Sequence, residues 1–262
     1  MKDNRYWLTI AALLVIVIVV SLFPAKKPKK EIKPVRKVTA PRVIKGKIAI
    51  VLDDWGYNTN NVRILSEIKQ PLTLAVLPNL GFSKNISRDL HQRGFEIILH
   101  LPMEPKEKYN LEKDTVKISM NREKIVSVLS SDLSNIVYAK GVSNHMGSLA
   151  TSDIKTMEIV FKELKRRGLY FLDSYVVPES VCQELAVKIG LPFAKRDVFL
   201  DNSSDPAYIR EQINKLKEKA KLKGYAIGIG HDRKNTLQVL KEVLPKLEKE
   251  GYKFVFVSEL AR

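Results

Sequence analysis

The sequence contains a single cysteine, Cys182, among its 262 residues. One cysteine cannot form an internal disulfide, so the cysteine content does not identify the cellular compartment. The sequence also lacks an Ala-x-Ala-like cleavage site after its one long apolar run. This absence favours an uncleaved N-terminal anchor over a cleaved secretion signal.

The apolar run forms the first of three predicted segments. Residues 7–23 include seventeen positions without a charged side chain, and they follow Lys2 and Arg5. That length is just enough to span a bilayer, so residues 1–23 are predicted to be a hydrophobic helix that acts as a membrane anchor or signal. The secreted form is the alternative.

Residues 24–47 form a basic segment with ten Lys or Arg residues, one Glu and four prolines. This composition predicts a disordered tether. Of the formal net charge of +16, the first 23 residues carry +1 and the tether +9, which leaves +6 for residues 48–262. The cationic excess therefore favours contact with anionic lipids over nucleic acid, and the sequence indicates no protein partner.

The tether and the apolar run give opposite indications of topology. Cations that directly follow a span favour a cytoplasmic location for the domain. The position of the run, a few residues from the N-terminus, is instead typical of an export signal. We expect the domain to lie in the cell envelope, outside the cytoplasmic membrane.

Residues 48–262 alternate between apolar strands and amphipathic helices. Strands are predicted at residues 48–52, 72–77, 95–99, 141–143, 169–172, 225–230 and 253–257, with helices between most of them. This alternation predicts an α/β domain with a parallel sheet.

Polar residues recur at or just after the C-terminal ends of these apolar stretches. They are Asp53, Asp54, His100, His145, Asp173, Arg196, Asp197 and His231. The only other histidine, His91, lies within a predicted helix. In a closed parallel barrel such strand ends converge on one face, where active sites form. One histidine there is more often structural, but three of them with an aspartate pair favour a functional site.

Six motifs in this order make the domain, roughly residues 46–262, resemble the divergent polysaccharide deacetylase family. They are residues 52–57 (LDDWGY), 100–105 (HLPMEP), 144–148 (NHMGS), 171–174 (FLDS), 196–197 (RD) and 228–231 (GIGH). The resemblance implies a distorted (β/α)7–8 barrel that removes N- or O-acetyl groups from a glycan. It also implies a divalent metal held by an aspartate and histidines.

The resemblance assigns roles residue by residue. Asp53 corresponds to the catalytic base and Asp54 to the metal-binding aspartate of the family's Thr-Phe-Asp-Asp motif. His100 corresponds to the first histidine of a His-(Ser/Thr)-x-x-His-Pro motif, but Glu104 occupies the position of the second. Either Glu104 or His145 could complete the site, and we favour His145 because imidazole is the more usual zinc donor in mixed sites.

The remaining motifs supply the other expected roles. His231 corresponds to the general acid, and Arg196 to the arginine that orients the catalytic aspartate. The supporting or substrate-binding residues are expected to be Glu104, Asn144, Ser148, Asp173, Arg196 and Asp197, among which Asn144 and Ser148 are candidate oxyanion donors.

Three functions fit these predictions. The first is a membrane-tethered, metal-dependent glycan deacetylase of the cell envelope, which would hydrolyse a non-peptide C–N bond, with zinc favoured among the divalent metals. The second is a degenerate barrel that binds a glycan or an envelope partner without catalysis, because the second histidine of the motif is missing. The third is a metal-dependent esterase on the same scaffold.

Overall fold

The computed structural model describes Trp7, residues 10–14 and residues 44–262. Trp7 and residues 10–14 are helical. Most of the predicted anchor and the tether up to residue 43 lie outside the described residues. The predicted end of the tether at residue 47 is wrong, because Gly46 and Lys47 already pair with other strands in the sheet. Among the residues described, no helix is both long enough and apolar enough to cross a membrane.

Nine parallel strands form one sheet within the described residues. They are β1 (Gly46–Trp55), β2 (Thr73–Val76), β3 (Glu96–Met103), β4 (Gly141–Met146), β5 (Tyr170–Asp173), β6 (Phe193–Lys195), β7 (Val198–Phe199), β8 (Tyr225–His231) and β9 (Tyr252–Phe254). The order across the sheet is β6-β5-β4-β3-β2-β1-β8-β7, and β9 pairs with the beginning of β1.

Seven α-helices connect the strands. They are α1 (Val62–Leu65), α2 (Ser83–Gln92), α3 (Arg122–Asn135), α4 (Ile154–Arg166), α5 (Cys182–Ile189), α6 (Pro206–Lys223) and α7 (Lys234–Glu250). Sequence signals for helix ends account for several of these bounds. Asp205 caps α6 by accepting hydrogen bonds from the N–H groups of Ala207 and Tyr208, and Gly224 ends it in the left-handed conformation.

β1 is the centre of the sheet because it pairs with three strands. It contacts β9 at its beginning, β2 at its end and β8 over most of its length. Its apolar residues 48–52 are completely buried. Ile48, Ile50 and Leu52 belong to the core beneath the helices, whereas Ala49 and Val51 belong to the core inside the curved sheet. The predicted strand at residues 48–52 is thus confirmed, and both of its faces are buried, as expected for an unbroken apolar run in a parallel sheet.

The chain itself connects the two ends of the sheet. β6 pairs with β5 and β7 pairs with β8, yet only Arg196 and Asp197 separate β6 from β7. The N–H of Arg196 donates to Asp173 O, and the N–H of Asp197 donates to Ile227 O. The sheet must therefore curl, which agrees with the predicted distorted parallel barrel.

The other edge of β6 is covered by the end of the chain. The N–H of Phe193 donates to Arg262 O at 3.0 Å, and the N–H of Arg262 donates back to Phe193 O at 3.1 Å. β6 and β7 were not expected as strands, because runs of three and two residues are too short to show a strand pattern.

Candidate metal centre

A bulge in β1 brings its two adjacent aspartates to one site. The register against β2 shifts between Leu52 and Trp55, and Asp54 has a φ of 67°. On a regular strand, neighbouring side chains point to opposite faces. Aspartate tolerates the left-handed region better than most residues, and the bulge re-aims its side chain. As a result, the carboxylates of Asp53 and Asp54 both reach His100 Nε2, at 3.6 and 3.3 Å.

The three predicted metal ligands lie together. Asp54 Oδ1 is 3.3 Å from His100 Nε2 and 3.2 Å from His145 Nδ1. One ligand atom from each residue lies within 4.8 Å of the other two. β1, β3 and β4 supply these residues, and the strand pairing sets His145 beside the end of β3.

These residues fit a divalent metal. Tetrahedral zinc with bonds of ~2.0 Å separates its ligand atoms by about 3.3 Å, close to the two observed distances. Asp54 Oδ1 is buried but has no hydrogen bond, because neither histidine contact meets hydrogen-bond geometry. This oxygen lies between two imidazole nitrogens. A cation bound by all three residues would satisfy it.

The charges of the three groups suit metal binding. Burial opposes ionisation of Asp54, but His100 and His145 outweigh it and hold its pKa well below the usual range. Burial lowers the pKa of His100 to about 4, so this imidazole is neutral at pH 7. Burial would lower the pKa of His145 as well, yet the carboxylates of Asp54 and Glu112 raise it. Metal binding would release any proton that His145 holds.

Each histidine has a polar group near the ring nitrogen that does not face Asp54. His100 Nδ1 is 2.8 Å from the buried hydroxyl of Ser143. His145 Nε2 is 3.4 Å from Glu112 Oε1. The sequence patterns identified neither partner, because Ser143 lies inside an apolar strand and Glu112 lies in a long polar connection.

The predicted base, Asp53, is enclosed beside this cluster. Its side chain is almost completely buried, and its Oδ1 atom has no hydrogen bond. Burial, together with the negative charges of Asp54 and Asp201, raises the pKa of Asp53 well above its usual value. The positive charge of Arg196 opposes this shift.

The predicted acid, His231, is held by an aspartate that the sequence patterns did not identify. Asp201 Oδ1 lies 2.7 Å from His231 Nδ1, and its Oδ2 accepts hydrogen bonds from His231 N–H and the Thr236 hydroxyl. Asp201 is fully buried. It directly follows the apolar residues 198–200, but a run of three residues is too short to indicate a strand end.

Glu104, Asn144 and Ser148 hydrogen-bond to main chain around the site. Glu104 Oε2 accepts from the N–H of Ile118 at 2.8 Å, and Glu104 is not part of the ligand cluster. Asn144 bridges the backbones of Met146 and Ser174. Ser148 accepts from Lys106 N–H and contacts Glu107 on the surface. Their roles toward a substrate stay predictions.

Three of the predicted supporting residues bind main chain near the connection between β6 and β7. They are Asp173, Arg196 and Asp197. Asp173 accepts from the N–H of Tyr175 and the hydroxyl of Ser180. The guanidinium of Arg196 donates to the carbonyls of Ser174 and Tyr175, so it influences Asp53 by charge and not by a hydrogen bond. Asp197 pairs with Lys223 and accepts from Ile227 N–H.

The chain is similar to known proteins over most of its length. The family model described as divergent polysaccharide deacetylase matches residues 50–261. The uncharacterized Escherichia coli K12 protein YibQ is 35% identical over 226 residues, which cover 86% of this chain and 70% of that protein.

Two solved structures show the same fold. An uncharacterized Agrobacterium tumefaciens C58 protein, ATU2773, has a TM-score of 0.80 at 23% identity and covers 85% of this chain and 92% of its own. A family 4 acetyl xylan esterase from Clostridium thermocellum, solved with a cobalt ion, has a TM-score of 0.50 at 16% identity. That match covers 82% of this chain and 89% of the esterase.

Proposed function

The chain belongs to the divergent polysaccharide deacetylase family, and on that premise we propose that it is a metal-dependent hydrolase that removes acetyl groups from a glycan of the cell envelope. One observation carries the proposal: the ligand atoms of Asp54, His100 and His145 converge beside Asp53. Three protein ligands leave an open coordination position, which is typical of catalytic and not of structural zinc sites.

Hydrolysis of an acetamide needs an activated water, stabilisation of charge on the carbonyl oxygen and a proton for the amine. A divalent cation held by Asp54, His100 and His145 would supply the first two, and its charge would offset the like charges around Asp53. Asp53 is the residue that accepts the proton of the water. Its side chain is enclosed, and its Oδ1 atom has no competing hydrogen bond.

The proton for the leaving amine comes from His231 in this proposal. Asp201 accepts from His231 Nδ1, and Nε2 faces away from this contact. His231 donates from Nε2 in its doubly protonated form, whose positive charge the Asp201 carboxylate stabilises. An amine leaves only after protonation, so the pair Asp201–His231 suits an N-acetyl substrate. The mixed His/Asp ligand set makes zinc the expected cofactor.

The proposed location rests on the sequence. We propose that residues 1–23 anchor the chain in the cytoplasmic membrane, that the basic segment from residue 24 to residue 45 tethers it there, and that the domain that begins with β1 at Gly46 lies outside that membrane. The basic residues of the tether would contact anionic headgroups near the anchor. Secretion after cleavage is the alternative location.

A non-catalytic glycan-binding barrel is the second candidate. The observation that favours it is Glu104, which takes the place of the family's second histidine and binds a backbone N–H instead of joining the ligand cluster. A metal-dependent esterase is the third candidate. It draws support from the acetyl xylan esterase among the structures of similar fold.

One experiment separates the three candidates. The purified full-length chain is loaded with zinc, its metal content is measured, and acetate release is followed from an N-acetylated chito-oligosaccharide and from acetylated xylan. We expect about one zinc ion per chain and faster release from the N-acetyl substrate. Asp54→Ala should abolish both zinc binding and release, whereas Asp89→Ala, on the exposed face of α2, should change neither.

The other outcomes would contradict the proposal. Binding of glycan without zinc and without acetate release would favour the non-catalytic barrel. Zinc-dependent release from acetylated xylan alone would favour the esterase.

A further inference from the structure

The ring of His145 can serve a metal in only one of its neutral forms. Its Nδ1 atom faces Asp54 Oδ1 at 3.2 Å, whereas Nε2 lies on the opposite side of the ring. A neutral imidazole carries one proton, so a ring that offers Nδ1 to a cation must hold its proton on Nε2. His145 is largely buried, and a buried N–H needs an acceptor.

Glu112 provides the carboxylate at that position. Its Oε1 atom lies 3.4 Å from His145 Nε2, and its side chain is only 18% exposed. The contact has ion-pair distance but not hydrogen-bond geometry, so Nε2 has no hydrogen bond. His100 has the equivalent arrangement, because the hydroxyl of Ser143 lies 2.8 Å from its Nδ1. Both rings therefore have a polar partner behind the nitrogen that faces Asp54, as metal-binding histidines usually do.

Glu112 is held in place although it lies in the long connection between β3 and α3. The hydroxyl of Tyr57 donates to Glu112 Oε1 at 3.1 Å. The hydroxyl and N–H of Thr115 both donate to Glu112 O, at 2.6 and 3.3 Å. The next residue, Val116, is buried and pairs with the end of β3. Contacts at its carbonyl and at its carboxylate thus hold Glu112 in place.

Glu104 contributes to this support. Its carboxylate accepts from the N–H of Ile118, and its carbonyl accepts from the N–H groups of Leu149 and Ala150. Glu104 thereby joins the connection that carries Glu112 to the segment that follows His145. Glu104 occupies the position of the second histidine in the family motif, and His145 is the proposed ligand in its stead. Glu104 therefore helps to hold Glu112, which is the partner of His145.

We infer that Glu112 is a positioning residue of the metal centre: in the metal-loaded chain its carboxylate accepts a hydrogen bond from the Nε2–H of His145 and so keeps Nδ1 directed at the ligand cluster. The inference rests on the metal site of the proposed function. Glu112 acts through His145 and does not contact the reacting atoms. A carboxylate partner also strengthens the imidazole as a donor, and loss of such a partner typically lowers metal affinity ~10–100-fold.

The test is a zinc affinity measurement on the full-length chain by competition with a chromophoric chelator. We expect Glu112→Ala to weaken zinc binding by about 10–100-fold. Glu112→Gln should recover part of this loss, because its amide oxygen still accepts a hydrogen bond. Glu107→Ala removes a carboxylate from the exposed part of the same connection and should bind zinc as the wild type does.

A second readout reports the position of the proton. In ¹⁵N-edited NMR spectra of the zinc-loaded chain, the Nε2 proton of His145 should be protected from exchange in the wild type and in Glu112→Gln. It should exchange rapidly in Glu112→Ala. Circular dichroism melting without zinc checks that the variants fold. We expect melting temperatures close to the wild type, because Glu112 is not part of the hydrophobic core.

The outcomes distinguish this inference from the proposed function. Equal zinc affinity of Glu112→Ala and the wild type would overturn the inference and leave the proposed metal site standing. Equal losses in Glu112→Ala and Glu107→Ala would also overturn it, because they would show an effect of loop charge. A wild type that binds no zinc would overturn both.

Discussion

Asp53 and His231 are Cα partners in the parallel register of β1 and β8. Residues in register on neighbouring strands present their side chains on the same face of a sheet. The backbone connects the two positions as well, because the N–H of Asp232 donates to Asp53 O at 3.0 Å. The proposed base and acid are therefore fixed relative to each other by the sheet, not by flexible loops.

The first prediction concerns Asp53. Asp53→Asn should keep zinc but lower kcat for acetate release by ~10²–10⁴-fold, because the amide has nearly the same shape and cannot accept the water's proton. Metal content and steady-state kinetics would be measured together, with Asp89→Asn on the surface of α2 as the control. If Asp53→Asn lost the metal, Asp53 and Asp54 would have to exchange roles.

The second prediction concerns the leaving group. His231→Ala should bind zinc normally and lose ~10²–10⁴-fold of its activity on an N-acetyl sugar, with a much smaller loss on an activated aryl acetate. The physical reason is that an aryl oxide leaves without a proton. His91→Ala is the control, because His91 stacks on Tyr138 at the surface. Equal losses on both substrates would remove His231 from the role of acid.

The third prediction concerns the ligand that replaces the missing histidine. His145→Ala should lower zinc affinity by more than ~100-fold, beyond the usual effect of an outer partner. Glu104→Ala should lower it less, since Glu104 acts only through the connection that it holds. Isothermal titration with zinc would compare the two variants. A larger loss in Glu104→Ala would make Glu104 the ligand.

The fourth prediction concerns the pH dependence of stability. Burial raises the pKa of Asp132 from 3.8 to about 7, although Asn79 donates a hydrogen bond to it. A raised folded-state pKa means that the folded chain holds this proton more tightly than the unfolded chain. The stability from this group is complete below about pH 4 and is lost as the pH rises through about 7.

Asp132→Asn should remove this dependence, because the amide resembles the neutral acid and can still accept from Asn79. The free energy of unfolding at pH 8 should rise by about 1–3 kcal/mol relative to the wild type, with a much smaller change at pH 4. Urea unfolding at both pH values would measure it, with Asp89→Asn as the control. A less stable variant at pH 8 would show that the ionised carboxylate contributes favourably.

The fifth prediction concerns location. A reporter fused after Arg262 that is active only outside the cytoplasmic membrane should be active, because the apolar run near the N-terminus favours export. A fusion that lacks residues 1–23 should be inactive in the same assay. Activity of a cytoplasm-specific reporter in the full-length fusion would place the domain inside.

The sequence predicted most of the sheet but not the fine geometry of the site. Continuous apolar runs indicated β1 and β8, since buried parallel strands need such runs on both faces. The bulge at Asp54 could not be predicted, because a register shift depends on pairing with β2 and leaves no local pattern. On a regular strand, without this bulge, the side chains of Asp53 and Asp54 would point to opposite faces.

The residues that contact the three histidines of the site could not be predicted from the sequence. Ser143, Asp201 and Glu112 each come from a different part of the chain than the residue they contact. Only the fold shows which of many serines and acidic residues meet a histidine. The bounds of β3 show the same limit: it extends through Met103 because β4 pairs with it, whereas the apolar pattern stops at Leu99.

The backbone contact between Phe193 and Arg262 has a consequence for handling the protein. An uncovered strand edge is a template for pairing with another chain, and proteins that expose one tend to aggregate. Removal of the last residues would uncover the N–H and C=O of Phe193 on β6. A truncated chain should therefore be more prone to self-association at high concentration, and tags should be added beyond Arg262 without replacing it.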